Sequence, residues 1–403
     1  MKPTNFKNDQ IIFAASVPGG FSTVPEDDFR SASLANQIVS EAGVGGLTPV
    51  ELDKLLAGKL IGVSPSMGLF SHGIRGSSTP KDIESALQAM YLTMTQPNKR
   101  PESFEVLMER IEAFVKNRSL DPNAIYSDRL TEINTKNHPL FRPWTTESLK
   151  EVDPDKALAF YNKIMRDAGD LRFYFVGALD VETMIPLLET YVGSLPTTDN
   201  GPPKVGKVRM EFPGGITKNV VQAGQEPKST TTITWPARAS YDEMEMFNMR
   251  LATDILEIRL REVLREALGN TYGVGVGYSY MPPYDGYATT VVRYGSAPEN
   301  ASDMAKRILE EIKKFKAEGP TEEEVAKAKE LEQRAVEKGL EENGYWLASL
   351  QTLGLLGWDA NRVLARLDRI DEVSAESMHK NFKLYFPEDN YTVITLMPKE
   401  STP

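Results

Sequence analysis

EVDPDKALAFYNKIMRDAGDLRFYFVGAL (residues 151–179) and EVSAESMHKNFKLYFPEDNYTVITLMP (residues 372–398) are two versions of one pattern, a capped helix running into an apolar strand. From Glu151 to Glu372 the offset is 221. A second pair sits earlier in each half. Pro65-x-x-Gly68 with Ser78-x-Pro80 corresponds to Pro283-x-x-Gly286 with Ser296-x-Pro298, and from Pro80 to Pro298 the offset is 218. One helix–strand junction can resemble another by chance. Two anchors with nearly one offset predict tandem copies of one fold.

Outward from these anchors, the boundary falls in LPTTDNGPPKVGKV, from Leu195, where Pro, Gly and polar residues replace periodicity. The expected domains are 1–200 and 201–403. Within each, short β-rich runs (IIFAAS from Ile11, TTTITW from Thr230) stand among long amphipathic helices. The helix after Thr321 opens on a capping box, Thr321-x-x-Glu324. It places Val325, Ala328, Leu331 and Ala335 on one expected core face, with Glu322, Glu323 and Glu324 in a solvated first turn. Regular β-α-β alternation is absent. The predicted class is therefore α+β, each copy a mostly antiparallel sheet packed against helices.

At 403 residues the chain is long enough for two cores. Its net charge of −11 comes from dispersed acids, which argues against nucleic acid as a partner. No apolar run approaches the roughly 20 residues of a membrane-spanning helix. There are no cysteines, so disulfides, thiolate metal sites and thiol nucleophiles are all excluded. The N-terminus enters a strand-like run almost at once without a signal-peptide core, as a piece of a larger polypeptide would.

A catalytic centre is hard to assemble from what remains. No G-x-S-x-G nucleophile elbow is present. The three histidines, His72, His138 and His379, stand too far apart for one helix turn to offer two imidazoles to a metal. They are expected in a strand, a loop and an amphipathic helix. The glycines of TYGVGVGYSY (residues 271–280) invite a nucleotide reading that fails on order, since the helix DEMEMFNMRLATDILEIRLREVLREAL precedes them. As a strand they put Tyr272, Val274, Val276, Tyr278 and Tyr280 on one face. Gly273, Gly275, Gly277 and Ser279 fall on the other, where tight internal packing is the plain expectation.

Arg265, in the last turn of that helix, and Tyr272, seven positions on, have ordinary roles as a dipole-favoured charge and a strand aromatic. The segment LREALGNTYGVGV that contains them nevertheless resembles the L-R-x-x-x-x-x-x-Y motif in the C-terminal half of pitrilysin/insulin-degrading zinc metallopeptidases. NHPLFRPWTTESLKEVDPDKALAFYNKIM, DLRFYFVGALDVETMIPLLETYVGSLP and GPTEEEVAKAKE resemble further segments of the same family, so the likeness covers nearly the whole chain. It is best to the C-terminal half of tandem bacterial zinc proteases.

The resemblance implies half of a clamshell with LuxS/metallohydrolase-like domains. The other half carries H-x-x-E-H and the zinc; this chain binds no cofactor of its own. SASLANQIVSEAG (residues 31–43) stands where a catalytic half would carry the inverted motif. The implied partners are that catalytic half, fused upstream, and a peptide substrate. Arg265 and Tyr272 are the implied substrate-binding pair, donating hydrogen bonds to substrate carbonyls across the chamber. The compartment implied is the periplasm or cell envelope. A different reading is a purely structural scaffold, like the non-peptidase members of the superfamily.

Overall fold

The structure, a computed structural model, describes residues 1–198, 205–206, 208, 211–238, 242–268, 273–280 and 287–399. Among the described residues, ten strands form two five-stranded sheets. The first contains β1 (Lys2–Pro3), β2 (Ile11–Pro18), β3 (Ile61–Met67), β4 (Ser71–Ser78) and β5 (Arg172–Gly177). The second contains β6 (Ile216–Gln222), β7 (Ser229–Arg238), β8 (Val274–Tyr280), β9 (Tyr287–Ser296) and β10 (Tyr391–Met397). Their spatial orders, β1-β5-β2-β4-β3 and β6-β10-β7-β9-β8, are the same order in two successive sets of strands. In each, only the first pair is parallel. The mixed, mostly antiparallel α+β architecture expected from the sequence is present.

The helices in chain order are α1 (Phe29–Ala42), α2 (Pro49–Leu55), α3 (Ile83–Thr95), α4 (Pro101–Arg118), α5 (Pro122–Asn134), α6 (Thr146–Leu149) and α7 (Pro154–Met165). They continue with α8 (Val181–Tyr191), α9 (Glu243–Leu268), α10 (Ala301–Glu318), α11 (Glu322–Gly339), α12 (Asn343–Leu356), α13 (Arg366–Glu372) and α14 (Ala375–Tyr385). The two anchor segments are α7 with β5 and α14 with β10. Asp153 caps α7, its carboxylate accepting from the amides of Asp155 and Lys156, with Pro154 at the first helical position. Ser374 caps α14 through a reciprocal pair with Ser377. Ser78 and Ser296 of the second anchor close the corresponding strands β4 and β9; Pro283 and Gly286 lie outside the described residues.

Compact units do not follow the chain halves. Unit 1 comprises residues 1–115, 144–207 and 336–365, and unit 2 comprises 116–143, 208–335 and 366–403. Compared with the continuous division at 200, each unit gives up one helical segment and receives the other's. The physical reason lies on the sheets. β10 is buried on both faces, with Val393 facing the helices of its unit and Ile394 and Leu396 facing α5, where Tyr126 covers them. Tyr126 lies 2.7 Å from the Thr232 hydroxyl and donates to the Ile394 carbonyl at 2.9 Å. In unit 1, Phe13 and Phe175 stack in the main core. Val176, on the opposite face of β5, packs with Trp346, Leu353 and Val363 of the segment carrying α12.

One expected core face is corrected. On α11, Val325 and Ala328 are buried as predicted, but Leu331 is half exposed and Ala335 is exposed. The buried line continues instead through Glu332 and Val336. A carboxylate can take that position because Arg250 and Arg366 both bridge it. The solvated first turn also needs amendment. Glu324 closes the predicted capping box with Thr321 and in addition holds Arg259, from α9, through both of its oxygens.

Candidate functional site

The site expected from the sequence is the passage from α9 into β8. Asp242 caps α9, accepting the Glu245 amide at 2.9 Å. Met249, Ala252, Leu256, Leu260 and Leu264 then recur at helical spacing and are all buried. Over 26 residues this face anchors a rod roughly 39 Å long, which carries Arg265 out in its last turn.

Four arginines of α9 could in principle reach a ligand: Arg250, Arg259, Arg261 and Arg265. Arg250 bridges Glu332; Arg259 is held by Glu324 and donates to the Gly319 carbonyl at 3.2 Å; Arg261 pairs with Glu257 at 2.6 Å. Arg265 is exposed, and no carboxylate among the described residues pairs with it. Tyr272, with Gly269 and Asn270, lies outside the described residues.

β8 begins just after Tyr272 and shows the alternation read from the sequence. Val274 is buried, Val276, Tyr278 and Tyr280 are partly buried against the core, and Gly275, Gly277 and Ser279 are exposed. The expectation of tight packing on the glycine face is overturned. Among the described residues, a Cβ placed on Gly273, Gly275 or Gly277 would meet nothing within 4 Å, and none of the three has a positive φ. Among the described residues, these glycines answer neither a steric nor a conformational need. By contrast, Gly73 in β4 lies so close to the backbone of Ala15 that a Cβ would come within 1.9 Å of its carbonyl oxygen.

Among the described residues zinc finds no fitting donor set. α1 occupies the position of the expected inverted motif. There the Ser31 hydroxyl is buried and accepts the Asp153 amide, while Asn36 donates to the Pro65 carbonyl at 3.0 Å. The only carboxylate of α1, Glu41, pairs with Arg110. A lone amide oxygen, Asn36 Oδ1, is buried without a partner, which is no zinc ligand set. Among the described residues no group of three or more His, Asp or Glu is placed to hold a metal.

Each histidine has a structural role. The His72 Nδ1 accepts the Gly20 amide at 3.3 Å, and burial pushes the imidazole down to about 4. His138 caps a short 3₁₀ turn, and His379 Nε2 donates to the Lys316 carbonyl at 2.7 Å. A groove of about 420 Å³ between α9 and α11 went unread in the sequence. Its arginines are committed to its own glutamates, a pairing between residues some 65–82 positions apart that no local pattern signals.

Residues 151–332 match the family described as peptidase M16 inactive domain. Over 99% of its length it is 28% identical to the "Zinc protease PQQL-like" protein of Arabidopsis thaliana, of which it spans 42%. It is 23% identical over 96% of its length to the "Probable zinc protease PqqL" of Escherichia coli, again spanning 42%. The chain thus spans less than half the length of these relatives.

Among solved structures, the periplasmic protease PqqL from Escherichia coli superposes with a TM-score of 0.83 at 17% identity, over 98% of this chain and 43% of that one. A peptidase M16 inactive domain from Pseudomonas fluorescens superposes at 0.82 and 16% identity, covering 100% of this chain and 95% of that one. No helix among the described residues is long and apolar enough to cross a membrane.

Proposed function

We propose that this chain is the zinc-free half of an M16-type metalloendopeptidase. It forms the wall opposite an H-x-x-E-H half and binds the peptide substrate there through Arg265 and Tyr272. The observation that carries the reading is the state of Arg265: of the four α9 arginines it alone, among the described residues, is left without an acidic partner at the end of a rigid, buried-face helix. A guanidinium held there can donate to a substrate carbonyl, as can a phenol hydroxyl. When zinc-bound water attacks a peptide bond, negative charge grows on that oxygen, so donors aimed at it lower the barrier. Zinc belongs to the partner half in this reading, which is fused upstream of this chain in the full protein. Residence in the periplasm or cell envelope is part of the proposal and leans on the periplasmic Escherichia coli relative.

The test is zinc content and cleavage of an unstructured peptide by this chain alone and joined to an H-x-x-E-H half. No zinc and no cleavage alone, with activity on joining, is the expected result. Arg265→Ala or Tyr272→Phe in the joined enzyme should then lower kcat/KM by about 100-fold, the scale of losing one oxyanion donor. Unchanged cleavage in the double variant would leave a scaffold role in its place. Metal-dependent turnover by the isolated chain would overturn the reading altogether.

A further inference from the structure

β8 is the edge of the second sheet, hydrogen-bonded on one side to β9 and, among the described residues, to no strand on the other. Its pairing alternates. The Gly273 carbonyl faces β9, accepting from Gly295, so the odd-numbered residues use their main-chain groups inward and the even-numbered ones turn theirs outward. Val274, Val276 and Tyr278 therefore present N–H and C=O groups along a free edge.

One of those groups is already engaged in an informative way. The Val276 N–H donates at 3.1 Å to Glu257 Oε2, reaching over from α9. A carboxylate oxygen thus stands where the carbonyl of a sixth strand would stand. Glu257 is not dependent on that contact, because its other oxygen holds Arg261 at 2.6 Å. Sheet edges that merely need protection carry charges of their own, as β6 does with Lys218. VGVGYSY carries none.

The outer face adds a preference. Gly275 is paired with Arg293 on β9, and the two share that face. Arg293 is exposed and no carboxylate among the described residues pairs with it. With no side chain on Gly275 and, among the described residues, nothing within 4 Å of where one would be, there is room beside Arg293 over β8. Strands lie about 4.8 Å apart, a gap an arginine can span.

We infer that β8 takes an extended, acidic peptide as an added strand, its main chain displacing Glu257 from the Val276 N–H and its acidic side chain meeting Arg293 over the glycine lane. This inference rests on the reading of the chain as a peptide-binding half and names how the peptide is held. Main-chain pairing supplies the affinity and the open lane the selectivity, as in other edge-strand complexes.

The probe is a fluorescein-labelled nonapeptide alternating glutamate and threonine, titrated into the intact chain. Its controls are the lysine–threonine counterpart and the same acidic peptide N-methylated on alternate amides. The acidic peptide should bind about tenfold more tightly than either control and should slow amide exchange at Val276 and Tyr278. Val276→Pro removes an outward donor without taking a bond from the β9 ladder, and should abolish that binding while the melting transition persists. Gly275→Glu gives Arg293 a resident partner and should erase the acidic preference, which keeps the test alive if the proline variant fails to fold. Equal binding of the N-methylated peptide, or protection elsewhere, would overturn strand addition while leaving peptide binding standing. If none of the peptides binds although Arg265→Ala still lowers cleavage by the joined enzyme, strand addition falls and the proposed function survives.

Discussion

His72 and Glu332 are the residues whose neighbourhoods depart furthest from what their chemistry suggests. A histidine in an alternating strand was legible from LFSHGIRG; its burial beside the Gly20 amide was not, because that contact spans 52 positions. Burial holds the folded imidazole at about 4, below its ordinary 6.5, so its neutral form contributes stability fully above pH 6.5 and loses it as pH falls toward 4. Glu324, held down at about 2 chiefly by its hydrogen bonds to Arg259, loses its contribution in a separate window, from its ordinary 4.5 toward 2. Acid melts of His72→Gln should therefore lack the decline between pH 6.5 and 4 yet keep the one below 4.5. A decline unchanged in the upper window would show that other groups set it. Glu332→Ala leaves two arginines facing each other without their shared anion, and a loss of about 2–3 kcal/mol by urea unfolding is expected.

At the scale of elements, the contrast is between glycines that the sheet needs and glycines that it does not. In β4, Gly73 is locked against the Ala15 backbone and Gly76 against the Phe13 ring. Gly73→Ala should be severely destabilising, because the ladder between β2 and β4 cannot open by the distance required. Gly275→Ala and Gly277→Ala on β8 meet open space in extended backbone, so each should leave stability unchanged or raise it by up to about 1 kcal/mol. Thermal melts of the three variants decide the point, and a destabilised Gly277→Ala would mean that something covers the lane. The sequence separated the two faces of β8 correctly, since period-two alternation is local. It could not say that the glycine face is bare, because that depends on which elements pack there. The same limit explains α11: helical spacing marked Val325 and Ala328, while Arg250 and Arg366, brought from other helices, made Glu332 rather than Leu331 the next buried position.

For the whole molecule, the consequence of the exchanged segments is that neither chain half contains its own complete set of layers. A fragment of residues 1–200 would lack Trp346, Leu353 and Val363 and leave Val176 and its face of β5 uncovered. A fragment of residues 201–403 would lack Tyr126 over Ile394 and Leu396. Each alone should bind a hydrophobic dye and unfold without a sharp transition, whereas the two expressed together should recover one cooperative melt. Independent cooperative folding of either fragment would show that the exchanged helices are dispensable. Within the full chain, Trp346→Ala should cost about 3–5 kcal/mol.

Local order carried a long way in this protein. Two helix–strand anchors at a nearly constant offset were enough to foretell two like sheets, because caps, alternation and turn residues act over a few positions and repeat when the fold repeats. The absence of cysteine was also final at that level, since no folding can supply a side chain that is missing. Arg265 could be picked out by its motif. Arg261 has a partner one turn away in Glu257, but that Arg250 and Arg259 are taken by glutamates of α11 became visible only once α9 and α11 were packed together. Which helix covers which sheet was likewise decided by tertiary structure. Burying an apolar sheet face constrains only its character, and a helix from anywhere along the chain satisfies it equally well.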